Sequence, residues 1–418
     1  MAFIKHLKCT ACQAIYPADE LMNLCPEDGR PVEVIMDTDA IKQQYPTHQW
    51  YQPDHKSMWR FGGLLPLDNQ NRDDAQSILS LGEGCTPEIS LQNSALAKRF
   101  NIDLWLKDEG QPHPGYGANP TGSFKDRGMS MAASMANSFG VKKLVVPTQG
   151  NAGDSLTEYA LKGGMEVVVI MPDDTPMPIM GRVSALANMH ASVSIELVKG
   201  TIKEAGALMK QKYLPQGYFN MATFQEPGWR IDGKKTLGLE LAEPKASNKN
   251  RWSLPDVVIY PTGGGTGVLG MWKAFDELEA LGVIDDHRPK VICVQSSKTS
   301  PVVNAFNNGD NDTVAVEAGA TIATGLNVPG GVGHFKVLDI IRKSGGVALA
   351  VEEALIGEQL KSVYQQFGLW IAPEGAATLA AIEQAVDRDL IKPNDRVVAF
   401  NTGSFEKYLP NVRSLIFS

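Results

Sequence analysis

From Asn101 onward, short runs of β-branched residues alternate with segments whose apolar positions recur every three or four residues. The runs at 144–147, 167–171, 193–198, 257–260, 291–295, 347–351 and 396–400 predict buried strands, and the longer segments between them predict helices. Met129, Ala132, Ala133 and Ala136 share one helical face, with Gly140 where that helix should stop. A second helix is expected from about Ser155 to Lys162, ended by Gly163-Gly164. This alternation is the pattern of an α/β protein with parallel sheets covered by helices on both faces. Residues 1 to about 35 hold three of the five cysteines and no clear helix. The stretch 53–87 is loop-rich, and 244–255 is polar enough for a surface loop.

Bulk properties narrow the function classes. A chain of 418 residues is long enough for two or three domains, and 43% apolar with 21% charged residues excludes disorder. The net charge of −8, with no Lys/Arg block, argues against nucleic-acid or anionic-membrane partners. The longest apolar runs, such as 167–171, fall far short of the ~20 residues a membrane span needs. The first residues lack the apolar core and small-residue cleavage site of a secretory signal. An odd number of cysteines does not suggest a disulfide scaffold, so a cytoplasmic protein is expected.

Four segments carry candidate chemistry. In Asn119-Pro120-Thr121-Gly122-Ser123-Phe124-Lys125-Asp126-Arg127-Gly128, a Pro/Gly turn leads into a helix start. Ser123 is the expected cap, and Lys125 falls in the first turn. The helix dipole there disfavours the charged amine, which is what a Schiff-base lysine requires. The alternative is a solvated surface lysine.

Tyr260-Pro261-Thr262-Gly263-Gly264-Gly265-Thr266-Gly267 follows a strand and opens a helix, an arrangement that aims backbone N–H groups at an anion. Gly265, Gly267 and Gly270 also fit the dinucleotide fingerprint, but the next strand ends in Gln295-Ser296-Ser297 without the acid that holds a ribose. A phosphate cup therefore ranks above a dinucleotide site, with a plain helix-packing turn as the bland alternative. Thr148-Gln149-Gly150-Asn151 and Phe400-Asn401-Thr402-Gly403 are two further strand-end turns. All three turns are expected along one sheet edge, where α/β proteins bind ligands. A lysine amine, a phosphate cup and a hydroxyl for a ring nitrogen are together what pyridoxal phosphate (PLP) needs. No hydrolase triad motif, Walker motif or His-pair metal spacing occurs.

In this arrangement the chain resembles the fold-type II (tryptophan synthase β-like) PLP enzymes, and threonine synthases most closely. The likeness runs in order through Leu7-Lys8-Cys9-x-x-Cys12, Gly82-Glu83-Gly84-Cys85-Thr86-Pro87, Leu106-Lys107-Asp108-Glu109, the Lys125 block, Gly150-Asn151, Arg230-Ile231-Asp232-Gly233-Lys234-Lys235-Thr236, the glycine loop and Pro373-Glu374-Gly375. The resemblance implies that Lys125 holds PLP covalently, and that Gly263, Gly264, Gly265, Thr266 and Gly267 bind its phosphate. It places Asn151 at the ring hydroxyl, Thr402 at the ring nitrogen, and Phe124 and Ser123 along the cofactor pocket. Thr148, Gln149 and Gly150 would receive the substrate carboxylate, with Arg230 also on the substrate.

The implied reaction is a lyase conversion of O-phosphohomoserine and water to threonine and phosphate. The alternatives are another PLP-dependent elimination or replacement on an amino acid (dehydratase, ammonia-lyase or cysteate synthase-like), or a non-catalytic homologue. The implied organisation is a segment 1–35, a large PLP-binding domain of 36–125 and 223–418, a small α/β domain of 126–222 inserted in it, and a homodimer.

Two stretches depart from the family. The Asn-Ser and Asn-Pro pairs expected before the arginine are replaced by Phe219-Asn220-Met221-Ala222-Thr223-Phe224-Gln225-Glu226-Pro227-Gly228-Trp229. Asn220, Thr223 and Arg230 could still bind a substrate phosphate, with Glu226 an unfavourable neighbour. Cys9, Cys12, Cys25 and Asp28 look like a zinc ribbon whose fourth ligand is a carboxylate; a zinc site and a metal-free turn both remain open.

Overall fold

The computed structural model describes residue 1 and residues 3–416, without the side chains of residues 414 and 416. The chain divides into two compact units, one of Met1–Gly84, Asn119–Thr121 and Lys125–Thr236, the other of Cys85–Ala118, Gly122–Phe124 and Leu237–Ser418. All seven strands expected from the sequence form, within one residue or two at their ends.

In the first unit, a three-stranded antiparallel sheet is ordered Ile15–Tyr16, Ile4–Cys9, Val32–Met36. A four-stranded parallel sheet is ordered Val193–Val198, Glu166–Pro172, Lys143–Pro147, Phe219–Asn220. The β-branched runs Val167–Val169 and Val145–Val146 are fully buried, the signature of a parallel sheet covered on both sides. Helices Lys125–Ser138, Asn151–Lys162, Met177–Met189 and Ile202–Leu208 belong to this unit.

The stretch 53–87 is mostly irregular, as expected, although part of it is buried. Met58–Leu64 forms a 3-10 helix with every residue buried. Glu83, fully buried, accepts from Trp59 Nε1 (2.9 Å), Ser130 Oγ (2.6 Å), Tyr159 Oη (2.8 Å) and the Leu81 N–H (2.8 Å). Four donors satisfy a carboxylate that burial alone would make costly. Gly84, at φ +84°, has room for no side chain, since a Cβ there would lie 2.8 Å from Met58 Cβ and 2.9 Å from Arg127 Nη1.

The second unit holds a six-stranded sheet ordered Val347–Val351, Lys290–Ser296, Val257–Pro261, Arg396–Asn401, Asp103–Asp108, Glu88–Ser90; the last pairing alone is antiparallel. The core is aliphatic, built from strand residues such as Val257, Ile259, Ile292, Val397 and Ala399 and helix residues such as Ala376, Ala377 and Ile382. Beside it lies a buried polar network. Lys107 Nζ pairs with Glu240 Oε2 at 2.6 Å and donates to the Thr86 carbonyl at 2.6 Å, while Glu240 Oε1 accepts the Cys85 N–H at 2.7 Å. Thr86 Oγ1 donates to Glu109 Oε1 at 2.5 Å. Cys85, Thr86, Lys107 and Glu109 thus join Glu240 in one hydrogen-bonded set.

Candidate cofactor and substrate site

In the second unit, two candidate turns follow adjacent parallel strands. Val257–Pro261 leads into the glycine loop, and its neighbour Arg396–Asn401 leads into Thr402. The 15-residue helix Thr266–Ala280 starts after Gly265, which takes φ +79° and offers no side-chain cap. A helix start without a side-chain cap is the kind of terminus at which anions bind.

The loop is shaped from below. A Cβ at Gly267 would sit 2.1 Å from Tyr260 Oη, and one at Gly263 would sit 2.7 Å from the Gly325 carbonyl. His334, fully buried, binds the Gly263 carbonyl through Nε2 at 2.9 Å and Thr313 Oγ1 through Nδ1 at 3.0 Å. Burial pushes its pKa down, so the ring stays neutral, with Nε2–H donating to the carbonyl and Nδ1 accepting from the threonine. Sequence reasoning missed His334, because its helix lies about 70 residues beyond the loop it braces.

Residues 122–124 are stapled to the Thr402 turn. The Phe124 N–H donates to the Thr402 carbonyl at 3.1 Å, and the Ser404 N–H donates to the Gly122 carbonyl at 2.8 Å. Ser123 bridges Gly403 in antiparallel fashion. The expectation that Ser123 caps the helix is corrected: its fully buried hydroxyl has no hydrogen-bond partner. Asp126 does the local tying instead, accepting from the Thr121 N–H and Oγ1 (both 2.7 Å) and from Ser155 Oγ (2.5 Å). The Phe124 ring stands edge-on to Tyr260, centroids 6.1 Å apart. Lys125 follows Phe124 directly in the chain.

In the first unit, Lys125 opens its helix as expected. The Thr148 turn follows strand Lys143–Pro147 of the four-stranded sheet. The expectation of three turns on one sheet edge is therefore corrected: two lie on the six-stranded sheet and one on the other. Strand order, which a single sequence does not reveal, decides this. Gly150 precedes helix Asn151–Lys162 without a side-chain cap, and its N–H is bonded to Thr148 Oγ1 at 3.1 Å. Gln149 is exposed, and Gly150 and Asn151 are half-buried.

Helix Trp229–Ala242 crosses the Lys125 helix at two glycines. A Cβ at Gly233 would lie 2.1 Å from the Arg127 carbonyl, and one at Gly128 would lie 2.7 Å from Arg230 Cγ and 3.1 Å from Lys234 Cε. This close crossing sets Arg230 and Lys234 beside the start of the Lys125 helix. Arg230 is buried, with Nη1 on Thr223 Oγ1 (3.0 Å), Nη2 on the Met221 carbonyl, and Nε 3.5 Å from Glu226. Burial pushes the Glu226 carboxyl up and the Arg230 guanidinium down, each partly offset by the other's charge. Lys234 is held well below the usual lysine range by burial, then by the nearby charges of Lys125 and Arg230. In the sequence Lys234 stands inside the Arg230-to-Thr236 motif with no signal that sets it apart from Lys235 beside it.

At the amino terminus, the ligand atoms of Cys9, Cys12, Cys25 and Asp28 all lie within 4.8 Å of one another.

The glycine cup, the uncapped helix start and the orphaned Ser123 hydroxyl fit a phosphorylated aromatic cofactor. Residues 79–403 match the model of the pyridoxal-phosphate dependent enzymes, and the chain belongs to that family. PLP is accordingly its cofactor. Among relatives, it is 30% identical to a threonine synthase of Methanocaldococcus jannaschii over 95% of this chain and 91% of that one. It is 29% identical to a threonine synthase of Methanosarcina acetivorans over 96% and 92%. Similar solved structures include Escherichia coli diaminopropionate ammonia lyase (TM-score 0.64, 18% identity, 82% and 90% covered). Another is tomato (Solanum lycopersicum) threonine deaminase isoform 2 (TM-score 0.61, 21% identity, 79% and 87% covered). These structures share the fold. No helix among the described residues is long and apolar enough to cross a membrane.

Proposed function

We propose that the chain is a threonine-synthase-type lyase that converts O-phosphohomoserine and water to threonine and phosphate, acting as a homodimer. The near-full-length likeness to chains named threonine synthase carries this reading.

When bound, PLP supplies an electron-accepting π-system that stabilises negative charge at the substrate's α-carbon. Lys125 would hold the cofactor through its amine, and the same amine would act as the base that takes the proton from Cα. The N–H groups of Gly263, Gly264, Gly265, Thr266 and Gly267 hold the phosphate, with His334 fixing the loop's shape from behind. The Thr402 hydroxyl partners the ring nitrogen, and Asn151 partners the ring hydroxyl. A neutral hydroxyl at Thr402 leaves that nitrogen less firmly protonated than a carboxylate would, so control of the reaction falls more on geometry. Ser123 and Phe124 line the cofactor pocket. Thr148, Gln149 and Gly150 receive the substrate carboxylate. Arg230 and Lys234 serve the leaving phosphate: burial holds the Lys234 amine well below the usual lysine range, and an approaching dianion favours its protonated form.

A second reading, elimination or replacement on another amino acid, is favoured by one observation. Arg230 already pairs with Glu226, which leaves less of its charge for a substrate phosphate. Steady-state assays with O-phosphohomoserine separate the two readings. Equal release of threonine and phosphate supports the first. Retained cofactor, with turnover of other activated amino acids only, moves the assignment to the second.

A further inference from the structure

Residues 10–30 have almost no apolar core of their own. Cys25 is the single buried residue among them, and Ile15 and Leu21 are exposed at 64% and 43%. Their only regular structure is the two-residue strand Ile15–Tyr16. Segments this poor in core are ordinarily held by a crosslink or a metal.

The two turns of this segment face each other with a matched donor set. Cys9 closes strand Ile4–Cys9 and Cys12 lies in the turn after it; Cys25 and Asp28 lie in a second turn closed by the Gly29 N–H on the Cys25 carbonyl at 2.9 Å. Cys12 Sγ and Cys25 Sγ are 3.7 Å apart, and Cys9 Sγ is 3.4 Å from each Asp28 oxygen. A tetrahedral ion with metal–sulfur bonds of about 2.3 Å and metal–oxygen bonds of about 2.0 Å has edges of about 3.8 Å and 3.5 Å. The Cys12–Cys25 and Cys9–Asp28 separations fall close to those edges, and all four donors lie within 4.8 Å of one another. The donors are themselves supported. Asp28 accepts the Cys12 N–H (3.1 Å) and the Arg30 N–H (2.9 Å), Cys9 Sγ accepts the Ala11 N–H (3.4 Å), and Tyr16 Oη lies 3.0 Å from Cys25 Sγ. Three thiolates and one carboxylate select zinc over calcium or magnesium.

This knuckle also touches the loop that leads to Arg230. Asn23, two residues before Cys25, donates through Nδ2 to the carbonyls of Asn220 (3.4 Å) and Gln225. Strand Val32–Met36, which follows the second turn, backs the same loop, since a Cβ at Gly228 would sit 3.0 Å from Glu33 Cα.

We propose that Cys9, Cys12, Cys25 and Asp28 bind one structural zinc ion, and that this ion, through Asn23, pins residues 220–228 and so positions Arg230. The inference does not depend on which reaction the enzyme catalyses. Elemental analysis of the purified full-length holoenzyme should find one zinc per chain. Cobalt exchanged into the site should show thiolate charge-transfer bands with the strong visible bands of four-coordination. Cys25→Ser should lower metal affinity beyond the roughly 10–100-fold that losing a supporting hydrogen bond costs. If that variant does not fold, the cobalt spectrum of the native chain decides the matter. Asn23→Ala should keep the metal while raising amide exchange at 220–228 about tenfold. A metal-free protein from zinc-replete cells that gives no cobalt charge transfer, or a Cys12–Cys25 disulfide found by mass spectrometry, overturns the site. Unchanged exchange at 220–228, both in Asn23→Ala and after metal removal, overturns the coupling to the loop.

Discussion

The glycine loop 263–267 and the loop-helix 219–242 are built on opposite principles. The first presents backbone: four of its five residues are glycines, and one of its carbonyls is braced by a neutral imidazole. The second is crowded with buried charge, in which Arg230, Glu226, Lys234, Asp232 and Lys235 are all at 2% exposure or less. Backbone cups serve any ligand that carries the same phosphate, whereas a desolvated charge cluster is tuned to one arrangement of charges. In the proposed function the first region reads the cofactor and the second the substrate.

The largest effect tests the residue that joins both roles. Lys125→Ala should abolish covalent cofactor attachment and lower turnover about 10³-fold or more, as measured by visible absorbance and steady-state rates. The charge cluster should fail next. Glu226→Gln leaves the Arg230 charge buried without its carboxylate, and chemical denaturation should show a loss of about 3–5 kcal/mol. A near-neutral result would mean that Arg230 gives its charge elsewhere. In the backbone cup, Gly267→Ala forces a methyl against Tyr260 and should cost about 1–3 kcal/mol, with weakened cofactor retention in dialysis. The smallest effect belongs to the brace. Because the folded pKa of His334 lies below its unfolded value, the unfolded chain gains a proton first as pH falls through about 6.5, and stability is lost there. His334→Gln should remove up to about 1.4 kcal/mol per pH unit from the acid slope of a denaturation series.

The same contrast explains what was legible in the sequence. The parallel strands were readable because runs such as Val167-Val168-Val169 are buried on both faces and carry no competing signal. The glycine loop and the Lys125 helix start were readable because backbone geometry demands particular residues at particular places. Helix Trp229–Ala242 was not, since Arg230, Lys234, Lys235 and Glu240 look like a solvated surface, yet all four are buried, and Arg230, Lys235 and Glu240 each pair with a charge distant in sequence or one turn away. The short strands Phe219–Asn220 and Glu88–Ser90 offer too few residues for a periodic signal. Ser123 had the right residue type for a cap, but its pairing with Gly403 turns it away from that duty.

Lys125 and Lys234 stand near each other, and both are candidates for a reactive amine, so the attachment point is the sharpest test. Borohydride reduction of the purified holoenzyme, followed by peptide mapping, should place the phosphopyridoxyl group on the peptide containing Lys125 and leave Lys234 unmodified. A label on Lys234, or no label on either lysine, would contradict the account.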